Sequence, residues 1–145
     1  MKQKIEHFFL FNSRLVLGCF IKRVWKLFSI ENNYSIPVDI RDQEADGSIF
    51  IEFNNNKILC LYANAEEFTI DYEIINNGEI PPKARIVSNN TYWSTRINEK
   101  IIDIITICGE SSIPYGVMFK LEKGLDIRIM YLSESEYDFD SLIIR

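Results

Sequence analysis

An alternation of apolar and polar residues on both sides of a short break dominates residues 115–131. Residues 117–121 (VMFKL) alternate, residues 122–124 (EKG) interrupt the pattern, and residues 125–131 (LDIRIMY) resume it. Side chains of a β-strand point to opposite faces in turn, so two alternating runs around a glycine-containing break predict a β-hairpin. A chain built around such hairpins is expected to be mainly antiparallel β-sheet.

A similar arrangement occurs in residues 48–74. Residues 49–53 (IFIEF) resemble the first run, Asn54-Asn55-Asn56 takes the place of the EKG break, and residues 57–62 (KILCLY) correspond to 126–131. After glycine, asparagine is the residue best suited to the left-handed backbone of tight turns. A second hairpin of the same design is therefore predicted.

Flanking sequences extend the similarity. The acidic-aromatic run 66–71 aligns with 135–140, and Ser-Ile-Pro precedes the hairpins at 35–37 and at 112–114. These matches favour an internal duplication. The alternative is chance similarity between two hairpins in a chain that is 47% hydrophobic.

We predict a single domain of class α+β, mainly antiparallel β with short helices, in which two similar halves form a pseudo-duplication. The halves span approximately residues 1–75 and 80–145, and a linker containing Pro81-Pro82 joins them. Each half is too short to bury much core alone, so the two are expected to share one core, in a sandwich or a strongly curved sheet. The predicted core residues are Ile51, Phe53, Ile58, Phe119, Ile127 and Ile129.

Other segments give weaker patterns. Residues 20–30 fit both helical and strand spacing, but the β-branched run 101–108 (IIDIITIC), their counterpart in the second half, favours a strand. Residues 13–18 and 91–97 are expected to form short helical turns. Trp25 and Trp93 are expected to pack in the core.

The chain is acidic, with a formal net charge of -5. Residues 1–28 hold six basic residues and one acidic residue, a charge of +5, so the remainder carries -10. This balance argues against nucleic-acid binding, which requires a basic surface. It suits a basic protein partner, because complementary fields speed association; the alternative is that the acidic surface serves only solubility.

Acidic residues concentrate in two segments that are candidates for partner binding. Residues 133–140, if extended, place four carboxylates on one face, and the polar loop 31–47 carries four more at positions 39–46. The candidate residues are Glu134, Glu136, Asp138, Asp140, Asp39, Asp42, Glu44 and Asp46. A solvated sheet edge and a metal or acid–base site are the alternatives for the run 133–140.

Signals of catalysis are missing from the sequence. His7 is the single histidine and has no triad context, and Cys19, Cys60 and Cys108 have no metal-binding spacing. Phosphate-binding loops are absent too. We expect a non-enzymatic protein without cofactor or metal. The short N-terminal apolar run, interrupted by Arg14, resembles neither a signal peptide nor a membrane span, so a cytoplasmic location is expected.

The layout of Trp93 to Asp140 resembles that of bacterial immunity proteins of contact-dependent growth inhibition and related polymorphic toxin systems. The similarity concerns Pro114-Tyr115-Gly116, Lys123-Gly124 and Tyr137-Asp138-Phe139-Asp140. It is a similarity of layout, without a diagnostic motif, and transfers no residue roles. The resemblance implies a small non-enzymatic inhibitor that binds a nuclease-like toxin domain.

Function is therefore predicted as immunity by occlusion, in which carboxylates replace substrate phosphates against a basic toxin surface. The partner would be a basic protein, with neither nucleic acid nor membrane involved. The competing hypothesis is a structural domain of a phage or secretion assembly. A neighbouring toxin gene would distinguish the first hypothesis from the second.

Overall fold

The structure is a computed structural model that describes residues 3–4, 16–27, 44–45, 48–64, 69–108, 114–132 and 141–145. In chain order, the strands within these ranges are β1 (Gln3–Lys4), β2 (Ile21–Lys26), β3 (Glu44–Ala45), β4 (Ile49–Phe53), β5 (Ile58–Asn64), β6 (Thr69–Ile75), β7 (Arg85–Ile86), β8 (Ile101–Cys108), β9 (Pro114–Leu121), β10 (Asp126–Leu132) and β11 (Ser141–Ile144). A 3₁₀ turn spans Asn77–Glu79, and a short helix, α1, spans Thr91–Ser94.

The strands form two antiparallel sheets. The first sheet has the order β1-β6-β5-β4-β2-β7, and the second has the order β3-β11-β10-β9-β8. Both hairpins predicted from the alternating runs are present, as β4–β5 and β9–β10. The fold is therefore mainly antiparallel β with short helical segments, as predicted.

One buried cluster lies between the sheets and takes side chains from both, which gives a sandwich-like arrangement. The inner face of each sheet is the one that contributes to this cluster, and the outer face is the opposite one. All six residues predicted for the core are at most 1% exposed. Trp93 is fully buried in the same cluster, and Trp25 is buried in a second cluster, so both tryptophans pack as predicted.

Ile58 is buried on the opposite face of the first sheet from Ile51 and Phe53, with which it was predicted to pack. It belongs to a second cluster on the outer face of the first sheet, whereas Leu59 and Leu61 share the inner face with Ile51. The turn explains the difference. Phe53 N–H donates to Lys57 O just as Leu121 N–H donates to Leu125 O, so residue 57 corresponds to 125 and the predicted alignment with 126 is shifted by one.

The alignment after the hairpins is wrong as well. Ala63 pairs with Ile70 in β6, and Tyr131 pairs with Leu142 in β11, so Ile70 corresponds to Leu142. The predicted match of residues 66–71 with 135–140 does not hold. The acidic-aromatic likeness was misleading because the connection before β11 is longer than the connection before β6.

The two halves meet where each begins its first long strand. Gly18 N–H donates to Ile101 O at 2.8 Å, and Asn98 N–H donates to Ile21 O at 2.7 Å. Ile21 N–H donates to Glu99 O at 3.1 Å, and Ile101 N–H donates to Cys19 O at 3.0 Å. This reciprocal set, here called the corner exchange, links the two sheets. Gly18 and Asn98, which each donate one bond of this set, both have positive φ (79° and 67°).

The remaining predictions have mixed outcomes. Residues 21–26 form a strand, as favoured for this part of the ambiguous segment 20–30, and residues 28–30 lie outside the described residues. Helix α1 lies in the predicted turn 91–97. Lys26, one of the six basic residues of the segment 1–28, is fully buried. No helix in the described part of the chain is long and apolar enough to cross a membrane.

Candidate functional site at the β3–β11 edge

The site is the edge of the second sheet, where β3 pairs with β11. Glu44 lies opposite Ile143, and Ala45 lies opposite Leu142. Glu44 is the one predicted site residue within the described ranges, and its backbone forms half of β3. The other seven, Glu134, Glu136, Asp138, Asp140, Asp39, Asp42 and Asp46, lie outside the described residues.

This pairing brings together the described ends of both acidic segments. Glu44 belongs to the polar loop 31–47, and Ser141 directly follows the acidic run 133–140. They lie on neighbouring strands, although almost a hundred residues separate them in sequence. The sequence predicted two acidic segments but gave no indication that they are attached to one sheet edge.

Strand β11 is held firmly at this edge. Leu142 and Ile144 are fully buried in the shared core. Arg128 and Arg145 exchange backbone hydrogen bonds of 2.8 Å in both directions, which extends the β10–β11 ladder to the last residue. The acidic run 133–140 is therefore attached to a strand fixed by both packing and backbone hydrogen bonds.

The end of β11 is also tied to helix α1. Tyr92 donates its hydroxyl hydrogen to Arg145 O at 2.9 Å, and the Arg96 guanidinium lies 3.8 Å from the centre of the Tyr92 ring. Arg96 Nε donates to Asp126 O at 2.8 Å, at the start of β10. Burial raises the pKa of Tyr92 to about 12, although Arg96 opposes this shift, so the hydroxyl keeps its proton at neutral pH.

Three other carboxylates in the described ranges are buried and have structural partners. Glu52 lies 3.9 Å from Lys22 Nζ and 3.8 Å from Arg23 Nε, and Glu99 Oε2 lies 3.2 Å from Lys123 Nζ. Asp71 Oδ2 accepts a hydrogen bond from Asn64 Nδ2 at 2.9 Å. Because these residues are at most 7% exposed, they contribute little to an acidic contact surface.

Two of the cysteines, Cys60 and Cys19, are held in their unreactive thiol form by burial. Burial raises the pKa of the Cys60 thiol to about 11, and Glu73 adds to this shift while a hydrogen bond with Ser48 opposes it. The reactive form of cysteine is the thiolate, which Cys60 does not form near neutral pH. Burial also raises the pKa of Cys19. Within the described ranges no group of histidine, cysteine and acidic residues could hold a metal ion.

A second feature of the sheet was missed by the sequence argument. Strand β8, predicted as a strand from its β-branched residues, lies at the edge opposite β3. The run of eight residues contains a single charge, Asp103, and this is unusual for an exposed edge strand. That low charge was the signal available in the sequence.

Comparison with protein-family models, with curated proteins and with solved structures found no match.

Proposed function

We propose that this protein is a non-enzymatic immunity protein of the cytoplasm. It neutralises a basic toxin domain of the nuclease class through an acidic surface at the β3–β11 edge. The observation that supports this proposal most directly is the pairing of Glu44 with Ile143. It attaches the loop 31–47 and the run 133–140, with eight candidate carboxylates between them, to neighbouring strands.

Electrostatics supplies the mechanism. Nucleases bind phosphate groups through basic residues, and a surface with several carboxylates competes for those residues and accelerates encounter. Exposed ion pairs contribute only about 0–1 kcal/mol each, so the inhibition needs several pairs or pairs that lose their water on binding. Two acidic segments at one edge meet this requirement better than either segment alone.

Steric occlusion of the toxin's active site completes the mechanism. The protein itself needs no chemistry for this, in keeping with the protonated, buried Cys60 thiol. A rigid anchor favours tight binding, because less conformational entropy is lost when the complex forms. Strand β11, tied to β10 and to Tyr92, provides such an anchor.

The experiment combines growth rescue with binding. The protein encoded beside this chain's gene is expressed alone and together with the chain, and growth and nuclease activity are measured. We expect the neighbour to arrest growth and to be neutralised at a one-to-one ratio. An arrest that the chain does not relieve would refute the immunity role for this pair.

The acidic surface is tested by replacing Glu136, Asp138 and Asp140 together by Ser. We expect partner binding at least tenfold weaker, with less dependence on salt and a nearly unchanged melting temperature, since fewer charges remain to be screened. A matching variant changes Asp39, Asp42, Glu44 and Asp46. The control replaces Glu79, Asp103 and Glu122, three exposed acids, with Ser and makes the same charge change as the first variant. Equal affinity of both test variants and the control would refute the acidic mechanism.

A structural role in a larger assembly is the second candidate, and the long edge strand β8 favours it. By itself, an assembly component would form open-ended oligomers, whereas an inhibitor would keep a fixed size. Light scattering of the purified chain distinguishes these outcomes.

The internal duplication belongs to the proposal as well. Each half contributes four strands that are neighbours in its sheet, in the equivalent orders β2-β4-β5-β6 and β8-β9-β10-β11, and the corner exchange relates equivalent residues. Each half also has a register shift near the start of its first long strand, between Ile21 and Arg23 and between Ile101 and Asp103. These shared details favour descent from one repeated unit.

A further inference from the structure

Strand β8 differs from the other strands that end the sheets in the described part of the chain. Strands β1, β7 and β3 have two residues each, whereas β8 has eight. Short edge strands are a common protection against pairing with another chain, because they offer few free backbone groups. Strand β8 lacks this protection.

The open side of β8 begins after Ile101. The corner exchange uses both backbone groups of Ile101. Beyond it, Ile104 N–H donates to Asp103 Oδ1 at 2.9 Å, which indicates that this amide points away from β9. Backbone groups alternate in direction along an antiparallel strand, so Thr106 presents its N–H and C=O on the same open side.

The side chains along this edge carry little charge. Ile102 is 53% exposed, and Asp103 is the one charged residue of β8. Neither lysine nor proline interrupts residues 104–108 (IITIC). Register shifts at 101/103 and 107/108 confine regular pairing to residues 103–107. A partner strand would therefore add along a window of about five residues.

We propose that a second copy of this chain pairs with β8, antiparallel and across a two-fold axis at Ile105. In this register Ile104 of each copy lies opposite Thr106 of the other. Once Asp103 Oδ1 releases the Ile104 amide, both residues that point outward on each strand exchange backbone hydrogen bonds with the second copy. Registers centred on Ile104 or Thr106 would have to use the irregular positions 102 or 108. The strand geometry thus selects the register.

Charge favours a second copy over a basic partner. A basic protein would find one carboxylate, Asp103, along this edge, whereas self-pairing about Ile105 places Asp103 opposite Ile107 of the other copy. The two Asp103 carboxylates then lie apart, and no like charges face each other. The edge of β8 has little charge and is self-complementary, as two-fold interfaces require.

The outer face beside the edge continues this apolar character. Ile105 lies beside Met118, and Ile107 lies in a row with Gly116, Met130 and Ile143. Their side chains are half-buried. Pairing across β8 brings Ile105, Met118 and Ile107 of the two copies together, and Arg128 lies one strand beyond Met118. The hydrophobic contribution therefore centres on Ile105, at the two-fold axis.

Such a dimer closes after two copies and contains a continuous sheet of ten of the described strands. The two β3 edges lie at its opposite ends, about 40 Å apart at the usual strand spacing. Self-pairing leaves both β3–β11 edges free. The inference is independent of the proposed function, because it can be tested without any toxin.

Sedimentation equilibrium of the full chain over a concentration series tests the dimer. We expect a reversible monomer–dimer equilibrium, and Ile105→Lys should raise the dissociation constant at least tenfold, because two lysines would face each other at the axis. Ile86→Lys makes the same change at an isoleucine that is 57% exposed on β7, in the other sheet, and should leave the constant within about twofold. A monomer at all concentrations, or equal effects of the two variants, would overturn the proposal.

A pair of oppositely charged variants at position 105 shows whether the lysine variant has lost dimerisation through misfolding. Ile105→Lys and Ile105→Glu should each be monomeric when alone and should form a mixed dimer when combined. Failure of the mixture to associate would overturn the register.

Cross-linking provides a second, independent measurement. In a Cys108→Ser background, Ile105→Cys should form a disulfide-linked dimer on oxidation, because facing residues approach within disulfide range. Met118→Cys, one strand further in, should not. Equal cross-linking of both variants would contradict pairing at β8.

Discussion

The outer faces of the two sheets are used differently, although both sheets are built on a similar four-strand meander. On the first sheet, Trp25, Phe50, Ile58, Cys60 and Ile75 form a buried cluster. On the second, the apolar side chains of the outer face are half-buried, and charged residues such as Lys120 and Arg128 lie among them.

The connection between the halves accounts for part of this difference. Ile80 and Ala84, from the segment that follows β6, pack against the outer cluster of the first sheet, and β7 pairs with β2. The described residues contain no comparable buried cluster on the outer face of the second sheet. Similar meanders thus acquire different surfaces from the segments that connect them.

Truncation of buried side chains should show the largest effects and test this comparison. Ile129→Ala on the inner face should lower the free energy of unfolding by about 2–5 kcal/mol, and Phe50→Ala on the outer face of the first sheet by about 3–5 kcal/mol. Met118→Ala, on the half-buried outer face of the second sheet, should cost only about 1 kcal/mol. Urea unfolding measures all three. A cost for Met118→Ala equal to that for Phe50→Ala would contradict the difference between the faces.

Cys60 provides a smaller, pH-dependent test of burial on the outer face of the first sheet. Burial raises its pKa from 9.0 to about 11, so the folded state binds the thiol proton more tightly than the unfolded state. The resulting stabilisation is fully present below about pH 9 and is lost as the pH rises towards about 11. Burial also raises the pKa of Tyr62, with the same sign at still higher pH.

Unfolding free energies measured from about pH 8 to 11 check this expectation. The unfolding free energy of Cys60→Ala should decline less steeply with rising pH than that of the wild type. An unchanged slope in Cys60→Ala would mean that the thiol is not buried in the folded protein.

The smallest effects are expected in the hairpin turns, where the two halves use different residues for the same conformation. Asn56 has φ 66° and Gly124 has φ 100° at equivalent positions. Exchanging them, by Asn56→Gly and Gly124→Asn, should change the free energy of unfolding by less than about 1 kcal/mol, whereas Asn56→Ala should cost about 1–2 kcal/mol. Thermal unfolding of the three variants measures this. If Asn56→Ala is as stable as Asn56→Gly, the positive φ is not required.

The sequence predicted the hairpins because their alternation is local. It also contained the difference between the outer faces: Phe50, Ile58 and Cys60 make β4 and β5 apolar on both sides, whereas Lys120 and Arg128 mark a partly exposed face. The pairing of β5 could not be derived as reliably. An error of one residue in aligning a turn assigns every later side chain of the strand to the wrong face of the sheet, as it did for Ile58.

The candidate site was predictable only as two separate acidic segments. Their common edge depends on the pairing of Glu44 with Ile143, and no local pattern specifies contacts between residues so distant in sequence. The edge position of β8 could not be predicted for the same reason, because strand order follows from the packing of the whole chain. Composition indicated which residues are unusual, and the topology determines which of them lie together.

The corner exchange also bears on how the chain folds. It joins residues about 80 positions apart, so its hydrogen bonds can form only after a long loop has closed, and this closure costs entropy. Until then, the first long strand of each half lacks partners for the backbone groups at its start. Neither half can reach its final hydrogen-bonding pattern by itself, and the exchange couples the two into one cooperative unit. The amides of Gly18, Ile21, Asn98 and Ile101 should accordingly exchange with solvent deuterium at a common, slow rate set by opening of the whole molecule.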